Sequence, residues 1–230
     1  MCKDDIPTLS NLTLTLENIS KLAHEVGFDA CGIAPVRRLD KDAQFMDNWI
    51  AQGLHGEMDY LTRNCEKRYD PSLLVPGAQT IVVCLLHFDK SGRDYHRIVK
   101  SLLYKLEARL KEEFGEEIVS QTHQHIFCDS APMLERSWCV EAGLGFIGKN
   151  HQLIHPTLGS MVHPGEIVLN VTVDGYRVLD INNGCGACKL CMDACPTGAL
   201  RNDAWDARKC IAYATHHCLE CQIVCPHNKQ

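Results

Sequence analysis

Cys185-Gly-Ala-Cys188-Lys-Leu-Cys191-Met-Asp-Ala-Cys195-Pro196, then Cys218-Leu-Glu-Cys221-Gln-Ile-Val-Cys225-Pro226, with Cys210 alone between them, is the stretch that decides the architecture. Each [4Fe–4S] cube needs four thiolates, and where such runs are paired the fourth Cys of each reaches across to the other cluster. The expected partition is Cys185, Cys188, Cys191 and Cys225 on one cluster and Cys195, Cys210, Cys218 and Cys221 on the other. Cys210 completes the second set because the second run holds only three cysteines. Zinc also uses C-x-x-C pairs, but rarely three consecutive steps closed by C-x-x-x-C-P.

Disulfides require an oxidising compartment. Residues 1–16 carry Asp4, Asp5 and Pro7 and no long apolar core, so they do not read as a signal peptide and the expected location is the cytoplasm. The longest apolar run, residues 81–86, is strand-sized, which predicts no membrane span. With 230 residues and 45% hydrophobic content the chain can bury one ordinary core and carry a small satellite domain. A formal charge of −6 argues against a broad nucleic-acid-binding face. Of the 14 cysteines, six lie outside the cluster sets. Cys31, Cys84 and Cys128 fall on strand patterns and Cys139 on a helix, so all four are expected as buried thiols, while Cys2 and Cys65 carry no assignment. His216 and His217 read as spacing residues beside Cys218.

Upstream of the cysteines, helix and strand patterns alternate, so the expected fold class is α/β (α+β mixed) over residues 1–180, followed by a ferredoxin-like double-cluster domain over residues 181–230. Ile19, Leu22, Ala23 and Val26 mark a helix face that Gly27 closes, and residues 28–34 read as a strand. Residues 80–88 have the length and β-branching of a buried central strand. Ile98, Val99, Leu102, Leu103, Leu106 and Leu110 form a helical stripe ending at Gly115. Residues 125–128 read as a short strand, Pro132 as the first position of a helix over 133–142, and residues 161–173 as a further strand. Asn182-Asn183-Gly184 reads as the hinge into the cluster domain.

Two features invite a functional reading. Asp129 follows a strand, where open α/β sheets place ligands, although an Asp-Ser-x-Pro turn also suits a simple helix cap. Gly143-Leu-Gly145-Phe-Ile-Gly148-Lys149-Asn150 satisfies G-x-G-x-x-G and nearly satisfies the P-loop pattern. Both phosphate motifs need a strand before the glycines and a helix after them. Here a helical segment precedes, so nucleotide binding is not expected, and the glycines instead permit close backbone approach to something bulky.

Taken in order, the blocks at residues 53–60 (Gly-Leu-His-Gly-Glu-Met-Asp-Tyr), 67–71 (Lys-Arg-Tyr-Asp-Pro), 94–96 (Asp-Tyr-His), 129–136 (Asp-Ser-Ala-Pro-Met-Leu-Glu-Arg) and 142–150 resemble epoxyqueuosine reductases, as do the Cys185 and Cys210-Ile-Ala-Tyr blocks. The resemblance implies a cobalamin-dependent iron–sulfur oxidoreductase, related in architecture to reductive dehalogenases, that removes the epoxide oxygen in the last step of queuosine formation in tRNA. It implies two [4Fe–4S] clusters that relay electrons from an external low-potential donor to cobalamin. Asp129 matches the proton donor, with a pKa raised by burial against the corrin. Arg136 and His96 match active-site positions, Arg68 matches a cobalamin-contacting arginine, and residues 148–153, with Lys149, Asn150 and Leu153, match a segment along the corrin. Read without the family, Arg136 is a surface ion pair, His96 a packed helix-start residue and Arg68 a loop anchor.

Three departures from the family pattern stand out. The loop at residues 88–94 and the stretch at 213–218 are short, and the chain stops five residues after Cys225, without a helical-repeat domain. With the negative charge, these argue against tRNA as the substrate, so the expected substrate is queuosine in tRNA or a smaller related one. The competing class is a ferredoxin-like electron carrier that has lost cobalamin, and a zinc-stabilised interaction module ranks below both.

Overall fold

A computed structural model describes residues 14–87, 94–176, 184–201, 204–215 and 218–228. Helix α1 (Leu16–Val26) begins where the Thr15 hydroxyl accepts the Asn18 amide at 3.3 Å, and it stops at Gly27, whose φ of +114° is a conformation glycine adopts without Cβ strain. The body continues through β1 (Ala30–Pro35), α2 (Asp40–Ala51), α3 (Cys65–Tyr69), β2 (Thr80–His87), α4 (Tyr95–Phe114) and β3 (Ile126–Phe127). It is completed by α5 (Glu135–Glu141), a two-strand ribbon of β4 (Phe146–Ile147) and β5 (Leu153–Ile154), and β6 (Val162–Leu169). The cluster region carries the short helices α6 (Leu190–Asp193), α7 (Ile211–Thr215) and α8 (Glu220–Ile223).

The main sheet has the order β1-β2-β6-β3, and every neighbouring pair is antiparallel. The alternating pattern therefore resolves to the α+β form of the mixed class. The strand-end rule for parallel α/β sheets does not locate Asp129; it lies where β3 ends and β6 begins. β2 is central, as its composition predicts, and its two faces feed two cores. Val82 and Cys84 join Ile19, Leu22, Val99 and Leu103 under α1 and α4. Ile81, Val83 and Leu85 join Trp138, Cys139 and Leu153 under α5.

Several boundaries differ from the sequence reading. The strand expected at 125–128 is ordered as β3 over two residues. The helix expected to open at Pro132 begins at Glu135 with Leu134 as its cap residue, so Asp129 caps nothing. The strand expected over 161–173 is β6. Around residues 143–150 a helix precedes the glycines and a ribbon contains them, so the strand–glycine–helix context of a phosphate loop is absent. A Cβ on Gly145 would strike the Ile154 carbonyl, and one on Gly148 the Ile154 side chain. At these two positions the missing side chain lets the chain's own ribbon close.

Two of the ties between the cluster region and the body lie at Trp49 and at Ser160. Trp49 stacks on Trp205 with centroids 5.7 Å apart, and its indole N–H donates to the Trp205 carbonyl at 2.6 Å. At the other, the Asn228 carboxamide bonds the Ser160 amide and hydroxyl at 2.6 and 2.9 Å, and Gln222 donates to the Ser160 carbonyl at 2.7 Å. The expected boundary at residues 180 and 181, the hinge residues Asn182 and Asn183, His216, His217, Cys2, and the short loop at 88–93 lie outside the described residues. Among the described residues no helix is long and apolar enough to cross a membrane.

Candidate functional site

Cys185, Cys188, Cys191 and Cys225 line one cavity of about 200 Å3, together with Lys149, Asn150, Ile154 and His227. Thus α6 and the segment after α8, from the two separate runs, supply one donor set. The space is far larger than a tetrahedral zinc needs with Zn–S bonds near 2.3 Å, and its four soft donors suit an iron–sulfur cube. Burial raises the Cys225 thiol, and Cys185 and Cys188 are the thiols that press on it.

The second set gathers around Cys221. Its thiol is pushed up to about 11, first by burial and then by Cys191, Cys210, Cys218 and Cys195. Such crowding of incipient thiolates is relieved by a cationic metal centre. Burial opposes ionisation of Cys195, yet the amides of Leu200, Thr197 and Ala199 outweigh it and lower its pKa. All thirteen described cysteines are free thiols, and Cys84, Cys128 and Cys139 are buried as expected, with Cys31 half-buried beside Cys84.

Lys149 belongs to the first cavity. Its ammonium donates to the carbonyls of Gly186 and Cys188 at 2.7 and 2.9 Å, and its amide points at Cys185 Sγ at 3.5 Å. This clamp joins the β4–β5 turn to the cysteine loop. Asn150, 3% exposed, accepts the Gln152 amide through Oδ1, while its Nδ2 is buried without a partner among the described residues. Leu153 packs its side chain into the core and offers a ligand only its backbone. Arg68 on α3 is 7% exposed, its Nε lacks a partner among the described residues, and burial lowers its pKa. Two buried, unanswered N–H donors, on Arg68 and Asn150, fit a group rich in acceptors such as the amide-fringed cobalamin.

The second constellation lies at the end of the sheet where β2 and β3 finish and β6 starts. Asp129 adopts φ +51°, a left-handed conformation that Asp tolerates better than most residues. Its carboxylate accepts the Tyr95 hydroxyl at 2.5 Å, and His96 Nε2 stands 4.0 Å away. Tyr95 is stacked between His96 and His163, with centroid separations of 4.0 and 3.9 Å. Burial, and then the bond to Asp129, hold the Tyr95 phenol well above its usual range, so it remains a neutral donor. Burial lowers the His163 pKa and favours its neutral ring. Asp94 caps α4 by accepting the His96 amide at 3.0 Å and also holds His96 Nδ1 at 2.8 Å.

Protein atoms alone leave the Asp129 side chain 59% exposed. Two further acids are behind it, Glu135 half-buried and Glu166 buried. Glu135 accepts the Asp129 amide at 2.5 Å and is pushed up to about 8 by burial and by the Asp129 charge. Glu166 on β6 is 0% exposed, and burial, then Glu135 and Asp129, raise it well above the carboxylate range. Arg136 is exposed and donates to the His151 carbonyl at 3.0 Å, so it braces the β4–β5 turn instead of forming the expected surface ion pair. The structure thus brings Asp129 and His96 together and sets Lys149 and Asn150 at the cluster cavity. Tyr95, His163, Glu135 and Glu166 were not singled out from sequence. Glu166 did carry a signal, being an acid inside the apolar strand Gly165-Glu-Ile-Val-Leu169.

Comparison with known proteins bears on the cysteine region and on the chain as a whole. Residues 184–218 match the family description of a 4Fe-4S double cluster binding domain. The epoxyqueuosine reductase of Cyclobacterium marinum is 34% identical over 258 residues, covering 96% of this chain and 81% of the relative. A crystal structure of epoxyqueuosine reductase with an epoxyqueuosine-modified tRNA stem loop superposes with a TM-score of 0.81 at 27% identity, covering 93% of this chain and 65% of that one. A reductive dehalogenase whose structure bears on B12-dependent dehalogenation shares the fold, with a TM-score of 0.59 at 18% identity over 99% of this chain and 34% of its own.

Proposed function

The chain belongs to the epoxyqueuosine reductase family, and on that premise we propose that it removes an epoxide oxygen reductively from epoxyqueuosine in tRNA or from a smaller related substrate. Converting an epoxide to an alkene with loss of water takes two electrons and two protons. No side chain supplies the electrons; the two [4Fe–4S] clusters and cobalamin, when bound, supply them and the reactive metal centre. Cys185, Cys188, Cys191 and Cys225 hold one cluster, and Cys195, Cys210, Cys218 and Cys221 the other. Lys149 fixes the loop of the first through its two carbonyl contacts, and its amide bond to Cys185 Sγ tunes that ligand. Arg68 and Asn150, with their unpartnered N–H donors, would hold the cobalamin, with Leu153 contributing backbone.

Asp129 delivers the proton to the departing oxygen. Tyr95 holds the carboxyl in place, His96 orients the substrate from the other side, and Arg136 keeps the turn at residues 149–152 in position. The observation that carries the reading is Asp129 itself: an acid in a left-handed conformation, held by the half-buried Tyr95 at the end of the sheet. The solved relative with a tRNA stem loop supports tRNA as the substrate class, and an external low-potential protein is the electron donor.

The test is anaerobic reconstitution with iron, sulfide and cobalamin, followed by turnover of epoxyqueuosine in tRNA and as the free nucleoside. Asn suits the left-handed conformation as Asp does, so Asp129→Asn isolates the acid. It should retain iron and cobalt and lose about a hundredfold or more in kcat. Full activity would remove Asp129 from the mechanism, and iron without cobalt or turnover would favour the electron carrier.

A further inference from the structure

Glu166 stands opposite Val83 on β2 and Phe127 on β3, and both neighbours belong to the core beneath α5. Residues directly opposite in a sheet share a face, so the carboxyl points into that core. Neither of its oxygens has a hydrogen-bond partner among the described residues. An ionised carboxylate so enclosed is strongly unfavourable, and the group takes up a proton instead. The groups around it do not supply a countercharge. They are Cys84 from β2, Cys128 and Asp129 from the end of β3, and Glu135 and Cys139 from α5. Arg136, the cation of that helix, acts on Glu135 and Cys139.

Glu135 lies between this buried acid and the mouth. It accepts the Asp129 amide at 2.5 Å, and the Asp129 charge acts on it directly, so the two side chains are neighbours between which a proton can pass. We propose that Glu166 and Glu135 form a proton store behind Asp129, with Glu166 held as a neutral carboxylic acid and Glu135 passing a proton to Asp129 after Asp129 has given up its own.

The need for a store follows from the balance of the proposed reaction, on whose reading the use of the proton rests. Breaking both C–O bonds with two electrons gives the alkene and an oxide oxygen, which takes two protons to leave as water. Asp129 carries one. When substrate covers Asp129, bulk water no longer reaches it freely, and Glu135 supplies the second proton; the carboxylate left on Glu135 faces the Arg136 cation, and the neutral Glu166 sets no second negative charge beside it. Glu135 and Glu166 are positioning and relay residues and touch no reacting atom.

The first experiment is an infrared titration of the reconstituted full-length protein, reading the carbonyl band of un-ionised carboxylic acids. The expected wild-type band persists at pH 7, loses part of its intensity with a midpoint near pH 8, and retains a remainder above pH 9. Glu166→Gln should abolish the remainder, and Glu135→Gln the titrating part. Absence of an un-ionised band at pH 7, or a band unchanged in Glu166→Gln, overturns the store whether or not the protein turns over an epoxide. The wild-type measurement needs no variant to fold. The second experiment is single turnover across pH. Glu135→Gln, which still accepts the Asp129 amide, should leave KM unchanged, lower kcat by about tenfold and flatten the decline of kcat above pH 8; it falls short of losing Asp129 itself because water recharges Asp129 slowly. An unchanged pH profile in Glu135→Gln overturns its relay role. A protein that shows the bands but reduces no epoxide would instead refute the functional reading and leave the buried acids established.

Discussion

Removing the Trp49 ring should detach the segment leading to Cys210 before it damages the body of the fold. Trp49 is 6% exposed and packs with Leu54, Met58, Ala204 and Ala207. Its indole N–H bonds the Trp205 carbonyl at 2.6 Å, and the Ala207 amide bonds the Leu54 carbonyl at 2.9 Å alongside. Trp49→Phe keeps most of the apolar contact but leaves the carbonyl unanswered, at a cost of about 1–2 kcal/mol. Trp49→Ala removes the ring as well and should cost about 3–4 kcal/mol, near the lower end for a buried tryptophan because Trp205 is partly exposed and can settle into the gap. With a urea slope of about 3 kcal/mol per molar for a chain of this size, that is a midpoint shift of about 1 M for Ala and about half that for Phe. Trp138 and Trp205 remain as fluorescence probes. Anaerobic iron counting should show preferential loss from the set containing Cys210, since the Cys210 amide bonds the Ala207 carbonyl at 3.1 Å. An Ala variant no less stable than the Phe variant, or equal iron loss from both sets, would refute the argument that this ring is the anchor.

Other outcomes follow from single contacts. Gly165→Ala would put a Cβ 2.5 Å from Val99 Cγ1 and 2.9 Å from Leu103 Cδ1, forcing α4 away from β6. Overpacking of that kind costs about 1–3 kcal/mol, read as a fall in Tm of about 3–8 °C. Lys149→Met should weaken iron retention by about 10–100-fold in chelator competition, the usual scale for a group that braces metal ligands. Burial opposes the charge of Glu107, but Lys111 and His125, at 2.7 and 2.8 Å, outweigh it and lower its pKa. A carboxyl lowered on folding contributes stability that is present above its unfolded pKa and lost as pH falls through the folded one. Glu107→Gln should therefore cost about 1–2 kcal/mol at pH 7, discounted for partial exposure. Urea titrations of the two proteins should converge only as the pH falls below the ordinary carboxylate range, through the lowered pKa of the folded state.

Local pattern reached far into this structure. The stripe from Ile19 to Val26 closed by Gly27, the β-branched run at residues 80–87 and the stripe from Ile98 to Leu110 each became the expected element, because each depends on residues within a few turns of one another. Short elements were harder. Pro132 looked like a helix start, yet the chain makes a left-handed turn at Asp129, where Glu135 takes the amide, and the helix begins three residues later than Pro132. The glycines of residues 143–148 suggested a close backbone approach, and at Gly145 and Gly148 the neighbour that needs the missing side chain is Ile154.

By itself the sequence determined the thiolate grammar, since the spacing of a cluster motif is covalent and survives in one dimension, and it set the crossed pairing as an expectation. It also determined the mixed fold class and Asp129 as a residue to watch. Only the tertiary structure decided the antiparallel order β1-β2-β6-β3, the Lys149 clamp on the cysteine loop, the Tyr95 stack and the burial of Glu166 behind Glu135. The physical reason is that an acid's protonation and a lysine's partners depend on what covers them. That cover comes from strands and turns tens of residues apart, which only chain folding brings together.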